Sequence, residues 1–348
     1  MHISEHILAS FGLQLSGSRN IYANSGSYMR AVAVLLSLIL AMTAAPSLGA
    51  QNAPTPAKEL FGRAKTPAAL EPEAIGSYAR GCLAGAQALA IDGPAWQAMR
   101  LSRNRNWGHP KLVALIERLA TEAQRYDGWP GLLVGDISQP RGGPMLTGHA
   151  SHQVGLDADI WFLPMPDRRL TEKEREELSA ISMLGPDKLS VDPKIWTDAH
   201  VRLVKRAASY PDVDRIFVHP AIKKALCQGA DKLGSDRSWL RKVRPYWGHH
   251  YHFHIRMRCP ADSASCKNQP APPAGDGCGK ELNDWLALIA APPKPTKPSK
   301  PKPPLTLAEL PQQCRAVLDA NPPSEVSADV PLRVPAPVRA VRGQTAQQ

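Results

Sequence analysis

The chain has no Cys-x-x-Cys pair, no His-Glu-x-x-His motif and no apolar run of the roughly 20 residues that a membrane-spanning helix needs. The first absence argues against a thiolate zinc site for the cysteines Cys82, Cys227, Cys259, Cys266, Cys278 and Cys314. The second means that any zinc-type centre has to be assembled from separated segments. The third bears on residues 31–45, an apolar stretch preceded by Met29-Arg30 and followed by the small residues Ser47-Leu48-Gly49-Ala50. That is the layout of a cleavable signal peptide, the alternative being an uncleaved anchor. Residues 1–28 are polar and patternless, which makes Met29 a candidate initiator.

What is present begins with 348 residues carrying a net charge of +11 and a pI near 9.5, room for one sizeable domain with appendages or for two. In an exported chain an even number of cysteines points to disulfides. The connectivity stays open, except that Cys259 and Cys266 bracket so short a loop that they are the first pair to expect.

Residues 1–50 form the N-terminal extension and leader, and the Ala/Pro-rich residues 51–74 a flexible lead-in, with order beginning near Ile75. Helical spacing after Pro110 marks residues 109–119, and charged or amphipathic patterns mark helices over 171–178 and 196–208. Residues 131–137 and 214–219 read as strands, as do the alternating stretches from Leu156 and around His252. Short helices are expected over 221–226 and 238–243. This order predicts an α+β domain over 75–290, a central antiparallel sheet carrying a zinc site and flanked by helices and long loops, tied by disulfides. Residues 291–304 form a lysine-bearing polyproline spacer, either a plain linker or one drawn to an acidic cell envelope. Cys314 ties residues 291–320 back to the body, and 321–348 read as a disordered tail.

The chemistry concentrates in Gly248-His249-His250-Tyr251-His252-Phe253-His254-Ile255-Arg256. On a strand, His252 and His254 share one face while Phe253 and Ile255 take the other. Upstream, His152-Gln153-Val154-Gly155 turns into a strand bearing Asp157 and Asp159. His152, Asp159, His252 and His254 are donors of the kind zinc takes; a catalytic site uses three protein ligands, leaving one group for acid–base work. Such a site brings the pKa of bound water down to about 7 and polarises an amide carbonyl. Singly, each residue has a plainer role: His149 or His219 as hydrogen-bonding loop residues, Asp157 or Asp159 as turn caps or arginine partners. A surface histidine patch also binds metals adventitiously.

These residues resemble the LAS group of metallopeptidases, and more closely the penicillin-insensitive murein endopeptidases. Met99-Arg100, Trp107-Gly108-His109-Pro110, Gly148-His149-Ala150-Ser151-His152-Gln153, Phe217-Val218-His219-Pro220-Ala221-Ile222-Lys223, residues 236–245, 258–263 and 275–279 all share in the likeness, which spans about Ile75 to Cys314. The resemblance implies zinc ligands His152, Asp159 and His254, with His252 the general base or transition-state stabiliser and His149 and His249 flanking the cleft. The family's second metal uses His149 and an Asp-x-x-His pair. Here no histidine stands between His152 and His200, and the nearest match, Asp187-Lys188-Leu189-Ser190, keeps only the aspartate, so one zinc is expected. The disulfides implied are Cys82–Cys314, Cys227–Cys278 and Cys259–Cys266.

The implied partner is peptidoglycan rather than nucleic acid, cut in the periplasm at the D-alanyl bond to meso-diaminopimelate, with no stable membrane insertion after leader cleavage. A β-lactam acylates a serine, and the only Ser-x-x-Lys is Ser299 to Lys302, inside the proline spacer. Two alternatives stay open, the first of which uses the same ligands. A D-alanine carboxypeptidase needs a cation for the substrate carboxylate, with Arg141 and Arg256 as candidates. A non-catalytic wall-binding module needs a closed site with four protein ligands.

Overall fold

A computed structural model describes residues 54–292 and 303–324. The expectations for residues 1–53, for 293–302 of the spacer and for 325–348 of the tail lie outside the described residues. Helix α1 (Ala57–Arg63) and the antiparallel hairpin β1 (Glu73–Ser77) and β2 (Arg80–Ala84) open the ordered chain. The flexible lead-in expected over 51–74 is thereby corrected for residues 54–74. The Ala57 N–H donates to Leu305 O at 2.8 Å, and Phe61 is fully buried in a small core with Ile75, Cys82, Leu310 and Val317. Gly143, at φ +76°, makes room for that ring; a Cβ there would lie 2.1 Å from Phe61 Cγ. Composition alone reads such a segment as a linker, whereas its order comes from chain far beyond it in sequence.

Along the chain follow β3 (Gln87–Ala88), β4 (Trp96–Ala98), β5 (Trp107–Gly108), α2 (Pro110–Tyr126), β6 (Leu132–Val134) and β7 (Asp157–Trp161). Next come α3 (Glu172–Glu177), α4 (Asp198–Ser209), β8 (Val213–Val218), α5 (Pro220–Gly229), β9 (Val243–Pro245), β10 (His252–Met257), α6 (Lys280–Ala290) and α7 (Gln313–Asp319). The central sheet has the order β4-β6-β7-β10-β8-β9. Its inner pairings are antiparallel, as expected, but the outermost pairs, β4 with β6 and β8 with β9, are parallel, so the sheet is mixed. A parallel pair needs a crossover, and α2 and α5 lie in those two connections.

Both crossover helices start with His-Pro. His109 and His219 are the N-caps, their Nδ1 atoms accepting from Lys111 N at 3.3 Å and Ala221 N at 3.2 Å, and the proline fills the first turn where no amide donor is needed. Such a cap requires a neutral ring; burial lowers the pKa of His109 and brings that of His219 down to about 4.

Strand alternation sorts the two middle strands into a core face and a site face. Ala158, Ile160, Phe253 and Ile255 are fully buried with Leu112 and Ile116 of α2 and Leu203 and Val204 of α4. Asp157, Asp159, Trp161, His252, His254 and Arg256 take the opposite face. Their register pairs His252 with Trp161, His254 with Asp159 and Arg256 with Asp157. Three disulfides, Cys82–Cys314, Cys227–Cys278 and Cys259–Cys266, match the implied pairing.

Candidate metal centre

His152 reaches the site face from the turn before β7, at a left-handed φ of +66° that few non-glycine residues adopt. The turn is stapled from both sides: His152 N–H donates to Asp157 Oδ2 at 2.9 Å, and Gln153 bonds Gly81 N and Ala79 O of the first hairpin. Gly155, at φ +67°, ends it against Leu83, where a Cβ would lie 2.4 Å from Cδ2. The ring of His152 donates from Nδ1 to Ile137 O at 2.6 Å, which leaves the Nε2 lone pair pointing into the site.

His254 is held the same way by a carboxylate. Its Nε2 lies 3.0 Å from Asp157 Oδ1, so Nδ1 is the free nitrogen and lies 3.2 Å from His152 Nε2. Asp157 is fully buried and is itself fixed by Arg256, whose Nε donates to Oδ1 at 2.7 Å. Burial would raise the Asp157 pKa, but the charges of Arg256 and His254 hold it well below the usual carboxylate range. Burial would likewise lower His254, and Asp157 outweighs it and raises it. Asp157 was read from sequence only as a turn cap or arginine partner; its bond to His254 was not foreseen.

Asp159 supplies the third donor. Its Oδ1 lies 3.5 Å from His152 Nε2 and 3.3 Å from His254 Nδ1, and among the described residues this buried oxygen has no hydrogen-bond partner. When both rings are neutral, as metal binding requires, their hydrogens are committed behind them and the lone pairs of two nitrogens and one carboxylate oxygen converge on one point. That arrangement is repulsive unless a proton on His254 or a metal cation lies among them. Metal bonds of about 2.0–2.1 Å arranged tetrahedrally put ligand atoms about 3.3–3.4 Å apart, the spacing seen here. A zinc-type ion therefore fits this donor set, and ligating histidines ordinarily donate their second N–H to a carboxylate or carbonyl, as both do here.

A looser group, His149, His152 and Asp159, also brings its ligand atoms within 4.8 Å of one another. It shares two residues with the first, but His149 Nδ1 approaches the other carboxylate oxygen, Oδ2, at 3.6 Å. The tighter triangle is the better cradle, with His149 at its rim. Both residues of the second site sketched, His149 and Asp187, are engaged elsewhere. His149 Nε2 is bonded to Asp136 Oδ2 at 2.9 Å, and exposed Asp187 spends both oxygens on Ser190 Oγ in its own turn, at 2.8 and 3.0 Å. Asp136 was missed in sequence. Its only signal is a lone carboxylate closing the buried strand β6; Arg105 and His149 outweigh its burial and hold its pKa down to about 2.

His252 differs from both inner histidines. Its Nε2 lies 3.5 Å from Asp159 Oδ1, yet Nδ1, buried, has no partner among the described residues. Burial, partly countered by Asp159, brings its pKa down to about 4, so the ring is neutral at neutral pH. His249, at φ +53°, packs beside His252 with ring centres 4.9 Å apart and planes tilted by 50°, its Nδ1 donating to Trp247 O at 2.7 Å.

Two cavities meet at this cluster. One of about 340 Å3 is lined by Arg100, Arg103, Asp136, Trp161, Tyr251 and His252; the other, of about 550 Å3, by Tyr78, Arg215, Phe217, Tyr246, His249 and His254. His149 borders both. A different groove of about 480 Å3, between α2 and α4, is filled by the ion pairs of Arg206 with Asp127 and Glu122 and lies away from this chemistry.

A model of the penicillin-insensitive murein endopeptidase family matches residues 74–319. The chain belongs to that family. It is 49% identical over 221 residues to the penicillin-insensitive murein endopeptidase of Haemophilus influenzae, covering 64% of this chain and 74% of that protein. To the protein of the same name from Pectobacterium atrosepticum it is 44% identical over 284 residues, 82% of this chain and 96% of the relative. To that of Salmonella typhi it is 47% identical over 249 residues, 72% and 87%.

Proposed function

We propose that the chain is a zinc-dependent murein endopeptidase that hydrolyses D-alanyl to meso-diaminopimelyl crosslinks in the periplasm. The observation that carries this reading is the triangle of His152 Nε2, Asp159 Oδ1 and His254 Nδ1, with sides of 3.2 to 3.5 Å, beside an unpartnered His252. Those three residues would hold the ion, which when bound supplies a Lewis acid and a water acidified to a pKa of about 7. His252 accepts a proton at Nε2, the nitrogen facing Asp159, while Arg256, Asp157 and the Ile137 carbonyl keep the two inner imidazoles in their donor orientation.

The names of the relatives support murein as the material cut, and the signal-like residues 29–50 together with three disulfides support an oxidising compartment outside the cytoplasm. An endopeptidase needs room on both sides of the scissile bond, as the two cavities meeting at His149 provide. The carboxypeptidase alternative loses its candidate cations. Arg141 is buried and donates to Val317 O and Leu318 O, and Arg256 is committed to Asp157. The closed wall-binding module would need His252 as its fourth ligand, since its Nε2 lies 3.5 Å from Asp159 Oδ1, and predicts that His252→Ala loses the metal.

The test is digestion of purified crosslinked muropeptide dimers with protein stripped by chelator and reloaded with zinc. Monomers released only after reloading are expected. Release of free D-alanine alone, or turnover by the stripped protein, overturns the reading.

A further inference from the structure

Past the second cavity, the surface carries a group of aromatic rings that the cleavage chemistry does not use. Tyr246 and Trp247 are 50% and 52% exposed, between β9 and the histidine-rich turn. Trp285 of α6 stands opposite, half-buried, with ring centres 5.5 Å from Trp247 and 6.3 Å from Tyr246. Leu288, one turn further along α6 on the same side, is 52% exposed. Large rings left in water at this density mark a binding surface more often than an accident of packing.

The group is continuous with the cleft. Ring-to-ring steps of 5.8 Å from His254 to His249, 5.7 Å from His249 to Tyr246 and 6.3 Å from Tyr246 to Trp285 lead from the metal centre to α6. Tyr246 itself lines the second cavity. Whatever lies on Trp247 and Trp285 is therefore joined to, or directly beside, what lies in the cleft.

We propose that Tyr246, Trp247 and Trp285 form a shelf that binds the amino-sugar chain of murein, holding the polymer while one of its peptides enters the cleft. The inference rests on the murein reading above. A crosslinked peptide in this polymer is short and is attached to a glycan. An extended residue spans at most about 3.3–3.6 Å, so a stem of three or four residues reaches about 10–14 Å. Tyr246, at the near end of the shelf, lies two ring-to-ring steps of 5.8 and 5.7 Å from His254. Pyranose rings present flat C–H faces rimmed by hydroxyls. Indole and phenol rings match them, an apolar π-face with a polar tip, whereas an aliphatic protein-binding patch has no such preference.

The experiment compares two substrates and one ligand. Binding of peptide-free glycan strands is measured calorimetrically for the zinc-loaded protein and for Trp247→Ala, Trp285→Ala and Trp285→Tyr. Cleavage is measured on intact sacculi and on glycan-free peptide dimers. The proposal expects the wild type to bind the strands and each Ala variant to bind about tenfold more weakly. Trp285→Tyr, which keeps a stacking ring, should recover most of the loss. On sacculi the Ala variants should show a raised KM with kcat unchanged, and on glycan-free dimers no change in either.

Glycan strands that do not bind the wild type, or that bind the Ala variants equally well, overturn the proposal. So does a change from oligomer to monomer in those variants with glycan binding intact, because the shelf is then an interface between copies. Failure of the wild type to cut peptide dimers overturns the murein peptidase reading instead, a result that glycan binding does not depend on.

Discussion

The histidines of the metal centre and those of the helix starts differ in where their ring hydrogens are committed. His109 and His219 turn Nδ1 lone pairs onto backbone amides. His200 is satisfied at both nitrogens, accepting from Thr197 N at 3.1 Å and donating to Phe162 O at 3.1 Å. Those rings complete backbone hydrogen bonding at the starts of helices. His152 and His254 do the reverse: their hydrogens go backwards, to Ile137 O and Asp157, and in the neutral rings Nε2 and Nδ1 turn their lone pairs towards one another at 3.2 Å. His252 belongs to neither group, since Nδ1 is unpartnered in the cleft wall. On the proposed function, the partner of the second nitrogen distinguishes the two inner ligands from the helix-capping histidines, while His250, whose Nδ1 is also buried and unpartnered, shows that this alone does not mark a catalyst.

That comparison can be broken most severely at the ligands. His152→Ala, Asp159→Ala or His254→Ala should abolish dimer cleavage in an assay with added zinc, because two remaining donors do not hold the ion. His252→Ala should slow the same turnover by roughly 100-fold or more, the scale of losing one general base or oxyanion donor. Asp157→Asn, which keeps shape but not charge behind His254, should weaken zinc affinity by about 10–100-fold in a competitive chelator titration. Unchanged affinity would separate Asp157 from the metal centre.

The structural histidines sharpen the contrast from the other side. His200 and His219, both brought down to about 4 chiefly by burial, stay neutral in the folded chain while their unfolded counterparts protonate near pH 6.5. The unfolded state then binds more protons, so stability present above pH 6.5 is lost as pH falls towards 4. Thermal denaturation across that range should show the decline. His219→Asn, which can still cap α5 but does not titrate, should flatten part of it and leave dimer cleavage at pH 7 within about twofold. A decline unaltered by His219→Asn removes that residue from the account. Smallest of all, Asp187→Ala should leave the zinc stoichiometry unchanged.

The middle of the sheet was legible because its chemistry is written with period two. His252 and His254 alternate with Phe253 and Ile255, and Asp157 and Asp159 with Ala158 and Ile160, so each strand names its own two faces. The partners behind the ligands were not legible. Asp136 and Ile137 lie well before His152 in sequence, and only pairing across the sheet brings them near. The same limit misread residues 54–74. Pro and Ala give no periodic signal, and the order of α1 comes from Leu305 and from the hairpin tied by Cys82 to Cys314, 232 residues apart. The parallel outer pairs of the sheet were hidden likewise, because a crossover helix is visible in sequence but the strand it returns to is not.

Zinc content measured side by side on His252→Ala and His254→Ala tests the central claim most directly, since both are imidazoles two residues apart on one face of one strand. The account predicts about one zinc per chain retained in His252→Ala and none in His254→Ala after dialysis against a moderate chelator. Zinc lost from the first and kept by the second would contradict it, and would make His252 the ligand.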